Sequence, residues 1–306
     1  MTTQRRIATA IAVACWAAGA AMPASAQTRT RADWVALATG GFVLPTGQTA
    51  MGLLIEMNPL LASPDPVLRD EVAYSAAERW IVRDKVVAPD DLRRLLALWG
   101  ANLDDGLGTP GDDRVFKRSF SALCLSLIAA REVAAPFLGA AEDQQFFDRM
   151  LDYFARERDL RGYDATRGWM HTVAHTADAF KFLARTTSFA PANLGRLLDA
   201  VRAKIEAADG VFVWGENDRL AWALHAAVRR ADADTAAFEA WTARWVEDHK
   251  ALWAGGPQVD PVRFARLENA KQILRSLAAI LSMERTPTAP GEKARLAAVT
   301  ALARMR

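Results

Sequence analysis

His171 and His175 stand four residues apart, and Asp178 follows three residues later. On a helix turning about 100° per residue these three side chains share one stripe. Two imidazoles and a carboxylate at that spacing are an acceptable ligand set for zinc or iron. The same stripe could hold the proton-transfer groups of a metal-free site, or tie a structural polar network together. The metalloprotease pattern H-E-x-x-H lacks its glutamate here, because Thr172, Val173 and Ala174 fill the intervening positions. A general base would have to come from another helix, such as Glu216 or Glu71. Trp169, Val173, Phe180 and Ala184 fall on the opposite side of the same wheel. With that apolar side in the core, the histidine stripe is expected to face solvent or a groove. Trp169→Ala should then destabilise the fold more than His175→Ala.

Four further blocks are denser in polar and aromatic residues than helix packing demands. They run from Leu68 to Tyr74, Val115 to Phe120, Trp214 to Ala221 and Asn269 to Ser276, beside the longest block from Glu157 to Asp178. From these come the candidate groove residues Glu71, Tyr74, Arg118, Asp159, Arg161, Trp169, His171, His175, Asp178, Glu216 and Arg219. Each also has a structural reading. Asp70 and Glu71 lie in the first turns after Asp65-Pro66, where carboxylates favour the helix dipole. Glu216 and Asp218 sit at a helix start and can act as caps. Arg118 and Arg275 are flanked by apolar residues and suit interior ion pairs. Arg161 and Asp178 can tie loop to helix. His225 and His249 stand alone on apolar-rich helices and read as packing residues. A functional groove requires Glu71, Arg118, Glu216 and Arg219 to converge on the histidine stripe.

Other chemistries are excluded. There is no G-x-S-x-G elbow, and Gly106-Leu-Gly-Thr-Pro-Gly111 lacks both the strand and the lysine of a phosphate loop. No strand pattern exists to host a dinucleotide fingerprint. Two cysteines rule out a disulfide-rich scaffold or a cysteine-based zinc cluster. No cofactor is expected, with a metal ion on His171, His175 and Asp178 as the one alternative.

The first residues read as an address. Arg5 and Arg6 precede an uncharged apolar run from Ile7 to Met22, then Pro23 and Ala24-Ser25-Ala26. This is the pattern of a secretory signal peptide over residues 1–26, cleaved after Ala26. Lipid attachment at Cys15 is the competing processing route. The chain carries 38 basic and 36 acidic residues, so loss of Arg5 and Arg6 leaves it formally neutral. No basic surface argues for nucleic acid. A periplasmic or secreted location follows, with no membrane span once the signal is gone. Cys124, the remaining cysteine, lies in an apolar run and reads as a buried core thiol. The nine tryptophans left without Trp16 suggest aromatic packing, with a minority lining a groove.

After Asp65 apolar residues recur at intervals of three and four almost everywhere. Helices are predicted near 31–41, 47–57, 66–84, 89–102, 113–134, 142–158, 168–186, 191–208, 217–231, 233–252, 261–284 and 290–305. The best strand-like run is Val211 to Trp214. Asp65-Pro66 and Asp260-Pro261 each place a capping acceptor before a proline suited to the first helical position. Helix pairs beginning near Asp65, Asp112, Gly168, Asn217 and Asp260 lie 47, 56, 49 and 43 residues apart. That is close to the period of about 40–47 residues for HEAT or armadillo repeats. The fold expected is all-α: a single domain over 27–306 of stacked antiparallel helix pairs in a right-handed, HEAT/armadillo-like solenoid. A closed helical toroid is the alternative.

The order and wording of the polar blocks resemble the uncharacterised bacterial family known as domain of unknown function 2785 (DUF2785). The most specific stretch holds Asp159, Arg161-Gly162, Gly168-Trp169, His171, His175 and Asp178. The resemblance runs from about Leu68 to Arg275. It implies a helical family member, and it attaches no activity, substrate or catalytic residue to any position. The function expected from the residues is an exported helical protein that binds a small ligand or a protein partner in a polar groove. The alternative is a hydrolase-type enzyme using His171, His175 and Asp178.

Overall fold

A computed structural model describes residues 29–306. The expected signal at 1–26, its cleavage site and Cys15 lie outside the described residues. The described chain is mostly helical: α1 (Arg31–Thr39), α2 (Ala50–Met57), α3 (Ser75–Glu78), α4 (Pro89–Asn102), α5 (Arg114–Ala134), α6 (Ala140–Arg156), α7 (Thr172–Leu183), α8 (Ala192–Glu206), α9 (Glu216–Val228), α10 (Thr235–Trp253), α11 (Pro261–Ser282) and α12 (Ala289–Arg304). A two-stranded antiparallel sheet, β1 (Tyr163–Asp164) and β2 (Gly168–Trp169), sits between α6 and α7.

The helix starts follow from local chemistry. Thr30, Thr49, Asp234, Asp260 and Thr288 each accept a backbone N–H of the turn they open. Pro261 and Pro89 occupy first-turn positions, where a missing N–H costs nothing. The stretch predicted as one helix over 66–84 is instead wound in π turns, Val67–Tyr74 and Arg79–Arg83, on either side of α3. Its carboxylate Asp65 caps Val67 N, as the sequence suggests. The wide turns place the Arg69 guanidinium wholly inside, over the rings of Phe116 and Phe120, where it donates to the carbonyls of Ser63 and Arg167.

The helices pack in two sequence-ordered rows. One row runs α5 on α7, α7 on α9 and α9 on α11; the other runs α6 on α8, α8 on α10 and α10 on α12. Between rows, α4 packs on α5, α6 on α7, α8 on α9 and α10 on α11. Pairs therefore begin one helix away from the starts predicted at Asp112, Gly168 and Asn217, while the pair predicted from Asp260 holds, with α11 packed on α12. Small buried side chains, Ala174 and Ala177 on α7 and Ala221, Ala223 and Ala227 on α9, let the first row approach closely. One apolar cluster extends from Trp34 on α1 to Met305 after α12. Each large side chain in it contributes about 1.5–3 kcal/mol by leaving water. Cys124 is buried in that core, as expected.

Two sequence expectations fail locally. Val211 to Trp214 does not pair as a strand. Its Phe212 is fixed by side chains instead: Asn269 accepts the Phe212 N–H, and Asn217 donates to the Phe212 carbonyl. The helix predicted from 168 begins only at Thr172, because Gly168 and Trp169 belong to the hairpin. Asp164 Oδ1 accepts the N–H groups of Thr166 and Arg167, which folds the chain back, and Gly168 at φ +75° completes the reversal.

Candidate functional site

The hairpin sets His171. Met170 N donates to Gly162 O and His171 N to Arg161 O, which prolongs the β1–β2 pairing to the start of α7. His171 itself has φ +49°, a left-handed conformation that is uncommon for a residue with a side chain and enriched at functional sites. Its ring lies beneath the Trp169 indole, with centroids 4.7 Å apart and planes 24° from parallel. Its Nε2 is 2.9 Å from the Trp214 carbonyl. A carbonyl only accepts, so Nε2 carries the proton and Nδ1 is left as an acceptor. Glu216 Oε1 lies 3.9 Å from the same Nε2, while its Oε2 accepts the Trp214 N–H. Burial pushes the His171 pKa down to about 4 and raises that of the Glu216 carboxyl.

His175 is one turn into α7. Its Nδ1 lies 2.8 Å from Ser119 Oγ on α5, and that hydroxyl donates to the Met170 carbonyl. Ser119 has a single proton and has given it away, so His175 Nδ1 must donate and Nε2 is the free acceptor. This arrangement excludes activation of Ser119 as a nucleophile by His175. The ring meets Phe120 edge-on at 5.0 Å, and burial lowers its pKa well below the ordinary value. The two histidines are thus neutral, in opposite tautomers, with centroids 5.4 Å apart.

Asp178 completes the stripe but is fully engaged. Lys181 Nζ donates to it at 2.9 Å, and Arg219 of α9 forms an ion pair with its other oxygen. Tyr74 is half-buried and feels the charges of Asp178 and Arg219; burial raises its pKa. Asp70 lies under the hairpin, its Oδ2 3.8 Å from where a Cβ on Gly168 would stand. Arg69 Nε is 2.7 Å from Asp70 Oδ1 but not aligned to donate, so both atoms lack a hydrogen-bond partner. Burial outweighs that neighbouring charge and lifts the Asp70 pKa to about 6.

Above this polar floor lies an aromatic surface. Tyr163, Trp169 and Trp214 come from β1, β2 and the loop before α9. Their centroids are 4.8 Å (Tyr163–Trp169), 5.4 Å (Tyr163–Trp214) and 6.1 Å (Trp169–Trp214) apart. They remain 40%, 36% and 45% exposed. Among the tryptophans, Trp34, Trp80, Trp99, Trp241 and Trp245 are buried; Trp222 and Trp253 are as exposed as Trp169 and Trp214, and what sets the latter two apart is their packing with Tyr163 into one surface. Gly162 makes room for them: a Cβ there would stand 2.1 Å from Trp214 Cδ1 and 2.9 Å from Glu216 Oε1.

The predicted residues thus divide. His171, His175, Asp178, Glu216, Arg219, Tyr74 and Trp169 share one region where the hairpin, α7 and α9 meet. Glu71 does not join them; it is exposed, and Asp70 takes the inward position. Arg118 belongs to a neighbouring buried network, paired through two nitrogens with Glu157, which also accepts the Asp159 N–H. Asp159 continues that network to Arg161 and Gly111 N, and its carbonyl accepts from Thr172. The expected orientation of the stripe holds for Val173, Phe180 and Ala184, which are buried, but not for the rest. His171, His175 and Asp178 are buried, and Trp169 is exposed. The wheel fails because Trp169 and His171 precede the helix and because α7 is buried on nearly every side. Among the described residues no group of three or more His, Cys, Asp and Glu side chains is placed to hold a metal ion. Tyr163, Trp214, Asp70 and Ser119 lie inside the polar blocks but were not among the candidate site residues, Asp70 being read as a helix-dipole carboxylate; the non-helical Gly-Tyr-Asp and Val-Trp-Gly runs were the available signal.

A family model described as "Protein of unknown function (DUF2785)" matches residues 103–302. The chain belongs to the DUF2785 family. The match covers α5 through most of α12, including the hairpin and both histidines, and begins later than the Leu68 start suggested by the motif blocks. Asp70 and Tyr74 therefore come from outside the DUF2785 span. No curated protein and no solved structure matches the chain. Among the described residues no helix is long and apolar enough to cross a membrane.

Proposed function

We propose that this DUF2785 protein is exported and binds a small ligand whose ring has an apolar face and a hydroxyl-bearing edge, as a neutral sugar has. The carrying observation is the exposed Tyr163–Trp169–Trp214 surface, built from three separate segments over a polar floor. Aromatic faces suit an apolar ring face. The acceptor nitrogens His171 Nδ1 and His175 Nε2 suit hydroxyl donors. The Arg5 to Ala26 pattern supports export, with Gln27 as the mature N-terminus. The two sequence-ordered rows suit one domain of stacked helix pairs, for which we keep the HEAT/armadillo-like right-handed solenoid as the proposed arrangement and a closed toroid as its alternative.

A hydrolase reading is favoured by one observation. Asp70, with its pKa near 6 and its side chain 25% exposed, can hold a proton at near-neutral pH under the hairpin that leads into His171. In that reading Asp70 is the acid and a histidine the base, while Asp178 positions Arg219.

Titration of tryptophan emission with neutral mono- and oligosaccharides tests the binding reading. A saturable change supports it, and a flat response across the series contradicts it. N-terminal sequencing of the mature protein tests export; retained Met1 or a lipid on Cys15 contradicts cleavage after Ala26.

A further inference from the structure

The loop that carries Trp214 also borders a cleft of about 450 Å³, whose other residues come from the start of α9 and from α11. That volume is within the usual range of ligand pockets. Two of the polar blocks, Trp214 to Ala221 and Asn269 to Ser276, meet in it. Val213 and Gly215, the residues on either side of Trp214, both line the cleft. Consecutive Cα atoms are about 3.8 Å apart, so the cleft and the Tyr163–Trp169–Trp214 surface adjoin along this stretch of chain. Val213, at the junction, is 70% exposed.

The polar lining is within reach of a ligand and offers both kinds of hydrogen-bonding atom. Ser276 Oγ donates to Asp218 Oδ1 at 2.6 Å, which leaves Oδ2 of that exposed carboxylate as an acceptor. Gln272 Oε1 accepts from Asn217 Nδ2 at 2.7 Å, which leaves the half-buried Gln272 amide nitrogen as a donor. Arg275, expected from the sequence to be interior, has its side chain 53% exposed, and its Nη1 stands 3.5 Å from Glu268 Oε2, too long for a good hydrogen bond. A carboxylate, an amide and a guanidinium in one cleft suit sugar hydroxyls, because each hydroxyl both donates and accepts. An anionic ligand would meet the Asp218 carboxylate, and a purely apolar one would take water from both charges without replacing it.

We propose that this cleft is a second subsite of the aromatic surface, so that the ligand is an oligosaccharide rather than a single sugar. One ring packs on Tyr163, Trp169 and Trp214, while a neighbouring ring donates to Asp218 and accepts from Gln272 and Arg275. The proposal rests on the sugar-binding reading above and adds to it a requirement for chain length.

Calorimetric titration of the full protein with glucose, mannose and galactose, and with linear oligomers of each, tests the subsite. Affinity for the best oligomer is expected to exceed that for its monomer by about tenfold or more, the worth of one charged hydrogen bond. That advantage should be lost in Arg275→Ala and in Asp218→Ala, both at exposed positions. Unfolding curves report whether each variant remains folded, and either one alone suffices. Equal affinity for monomer and oligomer, or an advantage that survives in a folded variant, overturns the subsite and leaves the aromatic surface as a one-ring site. Binding by no member of the series contradicts the sugar-binding reading itself, and the subsite with it.

Discussion

The Nδ1 of His175 lies 2.8 Å from Ser119 Oγ, and the serine proton is committed to the Met170 carbonyl. This links α5, the end of the hairpin and α7 through one hydroxyl, and it fixes His175 as a buried proton donor at Nδ1. The histidine is a structural member of the site as well as an acceptor at Nε2.

Removing that imidazole should therefore cost stability. His175→Ala is expected to lose about 1–3 kcal/mol, from a broken buried hydrogen bond and lost contact with Phe120. Trp169→Ala, at an exposed position, should lose about 1 kcal/mol. Urea unfolding of the two variants checks the order, which is the reverse of the helical-wheel expectation. A larger loss in Trp169→Ala contradicts the placement.

The Arg118–Glu157 pair is fully buried, with the two side chains 0% and 2% exposed. Glu157→Gln should cost about 3–5 kcal/mol, because the guanidinium is left inside without its counter-charge. A loss below about 1 kcal/mol, the value of an exposed pair, contradicts this.

Acid should act on the site in two opposed directions. His171 is lowered from 6.5 to about 4, so between these values the unfolded chain binds more protons and stability falls as pH drops. Asp70 is raised from 3.8 to about 6, so in that window the folded chain binds more protons and stability rises as pH drops. Asp70→Asn removes the second effect alone. Its stability should fall more steeply than that of the unsubstituted protein between about pH 6 and 4. Denaturant midpoints across that range check it, and an equal or shallower slope contradicts it.

Gly162→Ala should disturb the aromatic surface from below, since the new Cβ has no room beside Trp214. Overpacking of this kind costs about 1–3 kcal/mol. The variant should also quench or shift Trp214 emission; an unchanged spectrum with unchanged stability contradicts the close approach.

The helices were legible because their apolar period and caps are local. Asp260-Pro261 opens α11 where expected, and Cys124 sits in the core its neighbours imply. The hairpin was not legible, because it has only two residue pairs and its turn depends on Asp164 accepting from Thr166 and Arg167. That short interruption moved Trp169 off the helix and undid the wheel. Phe212 shows the converse error: it lies in a short apolar run of β-branched and aromatic residues that resembles a strand, but Asn269 on α11 and Asn217 on α9 satisfy its backbone. Which of Asp70 and Glu71 turns inward depended on the π winding before α3, which no residue pattern announces.

Calorimetric titration of a neutral oligosaccharide series into the unsubstituted protein and a Trp169→Ala/Trp214→Ala variant decides whether the aromatic surface binds a sugar. Saturable binding by the unsubstituted protein is expected, with an affinity weaker by about tenfold or more in the variant and its fold retained. No saturable binding by the unsubstituted protein, or equal affinity in the two, would contradict it.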